Sequence, residues 1–318
     1  MPAESLADLK SGDRRHELAA IVALLRSGAQ ERRSIAEMVD AFGSAVTLIQ
    51  LTEEHRLFST PDASHDIVGV VKSSHIRQAL ADVDRWLERS LDVRSVLDAD
   101  YPAELREIFN RPPLIFVEGR WAAGQSAPAV AIVGARKASD AGLAAAAHFA
   151  TELSRAGFTI LSGLAVGIDT AAHTAALDAR GRTAAVMGTG VDRVFPAENT
   201  ALADRILRCG GALISQFFPE QPPTKWTFPM RNVVMSGLAA ATVVIEASET
   251  SGARIQARVA LQHGRTVFLL RALVESHDWA HRFAAEGAYG TKAIVIETPG
   301  EILARVTPTR VVEDLAVA

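Results

Sequence analysis

The chain has 318 residues, 48% of them hydrophobic and 22% charged, with a formal net charge of −4 and one cysteine, Cys209. That hydrophobic share supports packed cores in more than one domain and excludes wholesale disorder, and a lone cysteine excludes an intrachain disulfide. No apolar run reaches the roughly 18 residues of a spanning helix, and the opening Met1-Pro2-Ala3-Glu4 is unlike a signal peptide, so a soluble cytoplasmic protein with no membrane partner is expected.

Residues 15–52 carry alanine and leucine at helical spacing: Leu18, Ile21, Val22 and Leu25, then Ile35, Met38, Val39 and Phe42. Gly28 and Gly43 punctuate them, a third short helix is expected from Ser44, and a further helix over Ile76–Ser90. Between these helices, 52–75 is polar with a short apolar run at Ile67–Val71. The pattern predicts a small N-terminal helical domain over residues 1–98, with no basic recognition face.

Tyr101-Pro102 and Arg111-Pro112-Pro113 bracket a short helix, Leu114–Val117 is strand-like, and Ser126-Ala127-Pro128 reads as a linker. From there strands and helices alternate. The strands are expected at Val130–Val133, Thr159–Ser162, Thr183–Met187, Ala212–Ser215, Ala241–Glu246, Thr266–Leu270 and Ala293–Ile296. The helices are expected at Ala141–Ala156, Thr170–Arg180, Thr200–Arg208, Arg231–Ala239 and Ser251–His263. This order predicts an α/β fold with a mainly parallel sheet covered on both faces, over residues 99–300. Residues 301–318 are expected to be a C-terminal tail without a winged helix, its last dozen residues loosely held. The block 130–270, with 13 Lys+Arg against 10 Asp+Glu, is the only net-positive part.

Five segments place glycine, hydroxyl or cationic residues just after an expected strand. They are Gly134-Ala135-Arg136 with Lys137, Ser162-Gly163 through Asp169, Gly188-Thr189-Gly190, Lys225 through Asn232, and Ser251-Gly252-Ala253-Arg254. Ligands of parallel sheets collect at the carboxyl ends of the strands, where helix N-termini offer N–H groups to anions. The five together point to a nucleotide or polynucleotide phosphate site. In the fourth, Lys225 and Arg231 stand around Phe228, a combination suited to phosphates and a stacked base of single-stranded nucleic acid. Phe228 and Trp226 as core residues is the competing reading.

Other groups have plainer expectations. Asp169 and His173, four apart on a helix, suit a cap and a packed ring better than a metal. Glu246 at a strand end suits backbone N–H groups, and His263-Gly264 suits a helix C-terminus with a cationic histidine. There is no GxSxG elbow, P-loop or GxGxxG fingerprint, so no catalytic residue, metal or cofactor is expected.

The chain resembles the DNA-processing protein A family (DprA, also called Smf). The resemblance rests on Ala131-Ile132-Val133-Gly134-Ala135-Arg136-Lys137-Ala138-Ser139, Leu161 through His173, Met187 through Asn199, Phe228-Pro229-Met230-Arg231-Asn232 and Ser251-Gly252, and it covers about residues 100–300. It implies an extended Rossmann-like, doubly wound domain that binds single-stranded DNA without enzymatic activity. It further implies a role in natural transformation, in which incoming strands are protected and the RecA recombinase is loaded onto them, and a homodimer. By this resemblance Arg136 is the phosphate-binding arginine, Lys225 and Arg231 are cations flanking the strand, Phe228 is the stacking ring and Asn232 a neighbouring polar contact. Ser162-Gly163 and Ser251-Gly252 supply backbone and hydroxyl contacts.

Three positions depart from the family pattern. Val233 stands where a second arginine is usual, Ala253 removes a hydroxyl, and Leu269-Leu270-Arg271 replaces Val-Pro-Gly. These departures keep a second function open: a nucleotide sensor or nucleotide-processing enzyme on the same fold, for example in bacterial defence. The Pro-Gly-Gly-x-Gly-Thr-x-x-Glu loop of the related phosphoribohydrolases is absent, and Glu246 is the one residue to test as a catalytic remnant.

Overall fold

A computed structural model describes residues 9–28, 31–58, 71–121 and 128–306. The expected linker residues Ser126 and Ala127, most of the Ile67–Val71 run and the tail from 307 lie outside the described residues. Among the described residues, no single helix is long and apolar enough to cross a membrane. The chain divides into two compact units, one reaching Tyr101 and including Phe109–Ile115, the other comprising Pro102–Ile108 and the chain from Phe116 onward.

The first unit holds α1 (Arg14–Ser27), α2 (Arg32–Phe42), α3 (Ala45–Phe58), α4 (Ser73–Glu88) and a short strand β1 (Asp92–Ser95). Gly28 and Gly43 end α1 and α2 in the left-handed conformation. Leu18, Ile21, Val22, Ile35, Val39, Ile49, Ile76, Val83 and Trp86 form its buried interior. Its charged groups are arranged to tolerate burial. The Glu17 carboxylate accepts from the amides of Ala45 (2.7 Å) and Val46 (3.2 Å), placing an anion at the N-terminus of α3. The buried Asp82 is held by Arg26 and Arg85.

The second unit runs α5 (Ala103–Arg106), β2 (Leu114–Gly119, of which Phe116–Gly119 belong here), β3 (Ala129–Val133), α6 (Asp140–Arg155), β4 (Thr159–Ser162), α7 (Ile168–Asp178), β5 (Thr183–Val186), α8 (Thr200–Arg208) and β6 (Ala212–Ser215). It continues through α9 (Thr227–Leu238), β7 (Ala241–Val244), α10 (Gly252–Gln262), β8 (Thr266–Leu270), α11 (Arg271–Ser276), α12 (Asp278–Ala285), β9 (Ile294–Ile296) and α13 (Pro299–Leu303). The fold is α/β with a mostly parallel sheet, in the order β2-β6-β5-β4-β3-β7-β8-β9. Only β2 runs antiparallel, Phe116 pairing with Ser215 and Gly119 with Ala212. Every residue of β3 to β7 is buried, as strands covered on both faces must be.

This order places the functional edge. From β3 the chain moves outward in one direction through β4, β5 and β6, then returns to lay β7 against the other side of β3. The helices leaving β3 and β7 therefore depart in opposite senses. A crevice opens beyond the carboxyl ends of that strand pair, where ligands of open α/β sheets bind.

Two local differences from the expected elements matter. α9 begins at Thr227, four residues earlier than expected, because Pro229 sits in its first turn, where a missing N–H costs nothing. Phe228, Arg231 and Asn232 consequently share one helix at i, i+3 and i+4. After β8, Arg271 starts α11 at once, so the Leu-Leu-Arg departure replaces a turn with a helix.

Candidate anion-binding cleft

At the crevice lies a cleft of about 580 Å³. Its walls come from Val133 to Lys137 after β3, from Phe228, Arg231 and Asn232 on α9, and from Glu246 to Gly252 after β7. Three segments, the first about ninety residues before the other two, thus meet where the strand order reverses. Asp169 and His277 also line it.

Arg136 and Lys137 are exposed, and neither is paired with a carboxylate among the described residues. The Arg136 guanidinium lies 5.6 Å from the centre of the Phe228 ring, a cation–π distance. Phe228 is half-buried. One side of it rests on Gly188, where a Cβ would stand 2.5 Å from the ring, so only glycine fits beneath it. Phe195, which no local pattern marks as a site residue, packs on Phe228 at 5.7 Å with the ring planes tilted by 48°.

Arg231 has a different place. Its Nη1 donates to the Val186 carbonyl at 2.7 Å, Nε is enclosed without a partner, and the guanidinium covers Gly163 so closely that any Cβ there would overlap it. Behind it Asp169 accepts from the amides of Gly163 (3.0 Å) and Ala165 (3.3 Å). Burial raises the Asp169 carboxyl above the ordinary range, an effect the Arg231 charge and the two amides oppose. Burial likewise lowers Arg231. His173 is fully buried, its Nδ1 sharing a hydrogen bond of 2.7 Å with Thr183 Oγ1, and burial together with the Arg231 charge lowers its pKa to about 3. His173 packs as expected; Asp169, in the first turn of α7, braces the preceding loop rather than capping that helix at its N-cap, which is Gly167.

The remaining expected site residues divide in the same way. Gly134, Ser251 and Gly252 line the cleft, and Asn232, buried, reaches the Gly252 carbonyl at 3.5 Å and so ties α9 to the start of α10. Ser251 caps α10, accepting from the Ala253 amide. Ser162 and Gly163 do not line the cleft: the Ser162 hydroxyl is buried and donates to the Ile132 carbonyl at 2.6 Å, and Gly163 lies under Arg231. Lys225 is exposed outside the cleft. Glu246 binds N–H and hydroxyl groups as expected, accepting from Ser139 N (3.1 Å) and Ser139 Oγ (2.8 Å). The N-terminus of α6 is thereby occupied by the chain's own carboxylate. His263 ends α10 as expected, but it is not cationic. Burial and the neighbouring Arg265 lower its pKa to about 4 while it bonds Ser236.

No group of three His, Cys, Asp or Glu that could hold a metal occurs among the described residues. The cleft offers two cations at its rim that are not paired with carboxylates among the described residues, the Ser251-capped N-terminus of α10 and an aromatic wall.

Such a molecule is a parallel-sheet α/β protein with a cation-rimmed cleft at the strand-order reversal. The chain belongs to the DNA recombination-mediator protein A family, whose model matches residues 92–306. It is 36% identical over 183 residues to the DNA processing protein DprA of Bacillus subtilis, covering 58% of this chain and 61% of that protein. Against the Escherichia coli protein Smf it is 38% identical over 221 residues, covering 69% and 58%. The chain thus spans about six-tenths of the length of these two relatives. The X-ray structure of DNA processing protein A from Streptococcus pneumoniae superposes with a TM-score of 0.67 at 29% identity, covering 90% of this chain and 97% of that one. A Helicobacter pylori DNA processing protein A, described for its single-stranded DNA binding mode, shares the fold with a TM-score of 0.58 at 22% identity over 68% of this chain and 94% of that one.

Proposed function

We propose that this protein binds single-stranded DNA, without catalysing a reaction, at the cleft beyond β3 and β7. The reading is carried by one observation: an unpaired arginine, Arg136, stands over the Phe228 ring at 5.6 Å where the strand order reverses. Phosphates would be held by Arg136, Lys137 and the N-terminus of α10 at Ser251-Gly252, with a base against the Phe228–Phe195 pair. Stacking contributes about 1–3 kcal/mol per base and accepts any base, so the site would favour strand over duplex with little sequence preference. Gly134 lines the cleft while leaving room for the Ile168 side chain behind it, Lys225 adds a charge outside the cleft, and Arg231, Asn232, Ser162 and Gly163 shape the site from behind.

This activity accords with the relatives named DNA processing proteins. The wider expectations form part of the same proposal: an extended Rossmann-like, doubly wound domain, a cytoplasmic homodimer, and delivery of strands to a RecA recombinase. The test is fluorescence anisotropy of a labelled oligothymidylate at two salt concentrations. Binding that weakens with salt and is lost together in Arg136→Ala and Phe228→Ala is the expected result. A folded protein that ignores the oligonucleotide but binds a mononucleotide would replace this reading with the nucleotide-sensor alternative.

A further inference from the structure

Of the four tryptophans, Trp86 and Trp279 are fully buried and Trp121 nearly so, whereas Trp226 is 80% exposed. It is the N-cap residue of α9, directly after the exposed Lys225 and two residues before Phe228. Phe195 is 40% exposed on the loop after β5. Phe228 itself is partly closed, with Gly188 against its ring and Arg136 over it. The more exposed aromatic surface is therefore carried by two rings outside the cleft lining, Phe195 packed on Phe228 and Trp226 two residues before it in the chain.

We infer that Phe195 and Trp226 are further base-contacting residues. This rests on the strand-binding reading above and extends it. A strand held by its phosphates at Arg136 and Lys137 lays one base on Phe195, beside Phe228, and another on Trp226, beside Lys225. The occupant follows from a cation near each exposed ring, neither cation paired with a carboxylate among the described residues: Arg136 over Phe228, on which Phe195 packs, and Lys225 next to Trp226 in the chain. A repeat of ring and cation matches the repeat of base and phosphate. The core of a protein–protein interface would instead be depleted of lysine.

The three other tryptophans are buried, so tryptophan emission open to a stacked base comes from Trp226. The experiment titrates the full chain with oligothymidylate while following that emission, alongside anisotropy of a labelled strand. Quenching in the wild-type protein that disappears in Trp226→Phe is expected. Trp226→Ala and Phe195→Leu should each weaken affinity about tenfold or more, while Phe195→Tyr, which keeps the ring, should bind like the wild type. Phe195→Leu preserves an apolar side chain against Phe228, so its loss would report stacking rather than packing. Tight binding by the wild type without quenching, with Trp226→Ala and Phe195→Leu within twofold of it, would overturn this inference and leave the strand-binding reading standing. A change of oligomeric state in Trp226→Ala with unaltered DNA affinity would assign Trp226 to a contact between copies and overturn it equally. No binding of any strand by the folded wild type would remove the strand-binding reading and this inference with it.

Discussion

Arg136 and Arg231 line the same cleft and differ in almost everything else. Arg136 is exposed at the end of a strand, with a ring beneath it and no carboxylate beside it. Arg231 is held by a backbone carbonyl over a glycine, in front of a buried Asp169. The rim can exchange its water for a ligand's phosphates with little rearrangement. The interior cannot give up its charge without leaving Asp169 and two amides to be resolvated. One cation is placed to meet a ligand, and the other keeps the floor of the cleft in shape.

The largest expected effect tests the interior. Asp169→Ala strands the buried Gly163 amide and the part-buried Ala165 amide and removes the carboxylate facing Arg231, so urea unfolding should show a loss of about 3 kcal/mol or more. Asp169→Asn, which keeps an acceptor, should lose less. If both unfold like the wild type, the interior cluster is not what braces the loop from Gly163 to Ala165.

The next effect separates the two regions by pH. His173 is held far below its ordinary value, to about 3, so the unfolded chain binds the extra proton first as pH falls. Its stabilising contribution is complete above about pH 6.5 and declines toward pH 3, by about 2 kcal/mol at pH 5. His263, lowered to about 4, acts in the same sense, whereas the raised Asp169 gains stability as pH falls. The comparison is therefore between the stability–pH slopes of the wild type and His173→Asn between pH 7.5 and 5. Equal slopes would show that His173 is not buried in the neutral form.

The rim comes next. Arg136→Ala should weaken oligothymidylate binding about tenfold and lower the slope of log affinity against log salt by about 0.7, with unfolding unchanged within about 0.5 kcal/mol. A loss of stability comparable to that of Asp169→Ala would erase the distinction drawn here. The smallest change is expected at Lys225, outside the cleft, where Lys225→Ala should reduce affinity two- to threefold and shift the same slope by a similar or smaller amount. An effect at Lys225 exceeding that at Arg136 would move the centre of the site off the cleft.

Strand and helix positions in the second unit were largely legible, because β-branched runs ending in glycine and alanine-rich helices each carry their own local signal. β3, β4, β6 and β8 lie within a residue of expectation. β1 was not legible, since Asp92-Val-Arg-Ser is short and half charged, nor was the antiparallel pairing of β2, which depends on a partner nearly a hundred residues away. α11 and α12 were missed after a strand where the family pattern led to a turn.

At the cleft, the sequence indicated which residue types gather but not which way they face. Arg136 and Arg231 both read as cations available to a phosphate, and only the carbonyl of Val186 and the bare backbone of Gly163, both distant in sequence from Arg231, show that the second turns inward. Ser162 was misleading for the same reason: a hydroxyl after a strand can serve a ligand or a neighbouring carbonyl, and Ile132 takes it. Phe195 gave no local signal, as its partner Phe228 lies more than thirty residues on.

The closeness of Arg231 to Gly163 has an evolutionary reading. The two positions lie in different motifs, far apart in sequence, yet a single methyl at the first evicts the guanidinium of the second. The dependence runs one way: Gly163 can gain a side chain only where Arg231 has already been shortened or moved, whereas Arg231 can shorten over an unchanged glycine. A chimaera that joined a segment with a side chain at position 163 to one that keeps Arg231 would retain each motif intact and still have to move the guanidinium off the floor of the cleft. The opposite chimaera, glycine with a shorter residue at 231, would meet no such overlap.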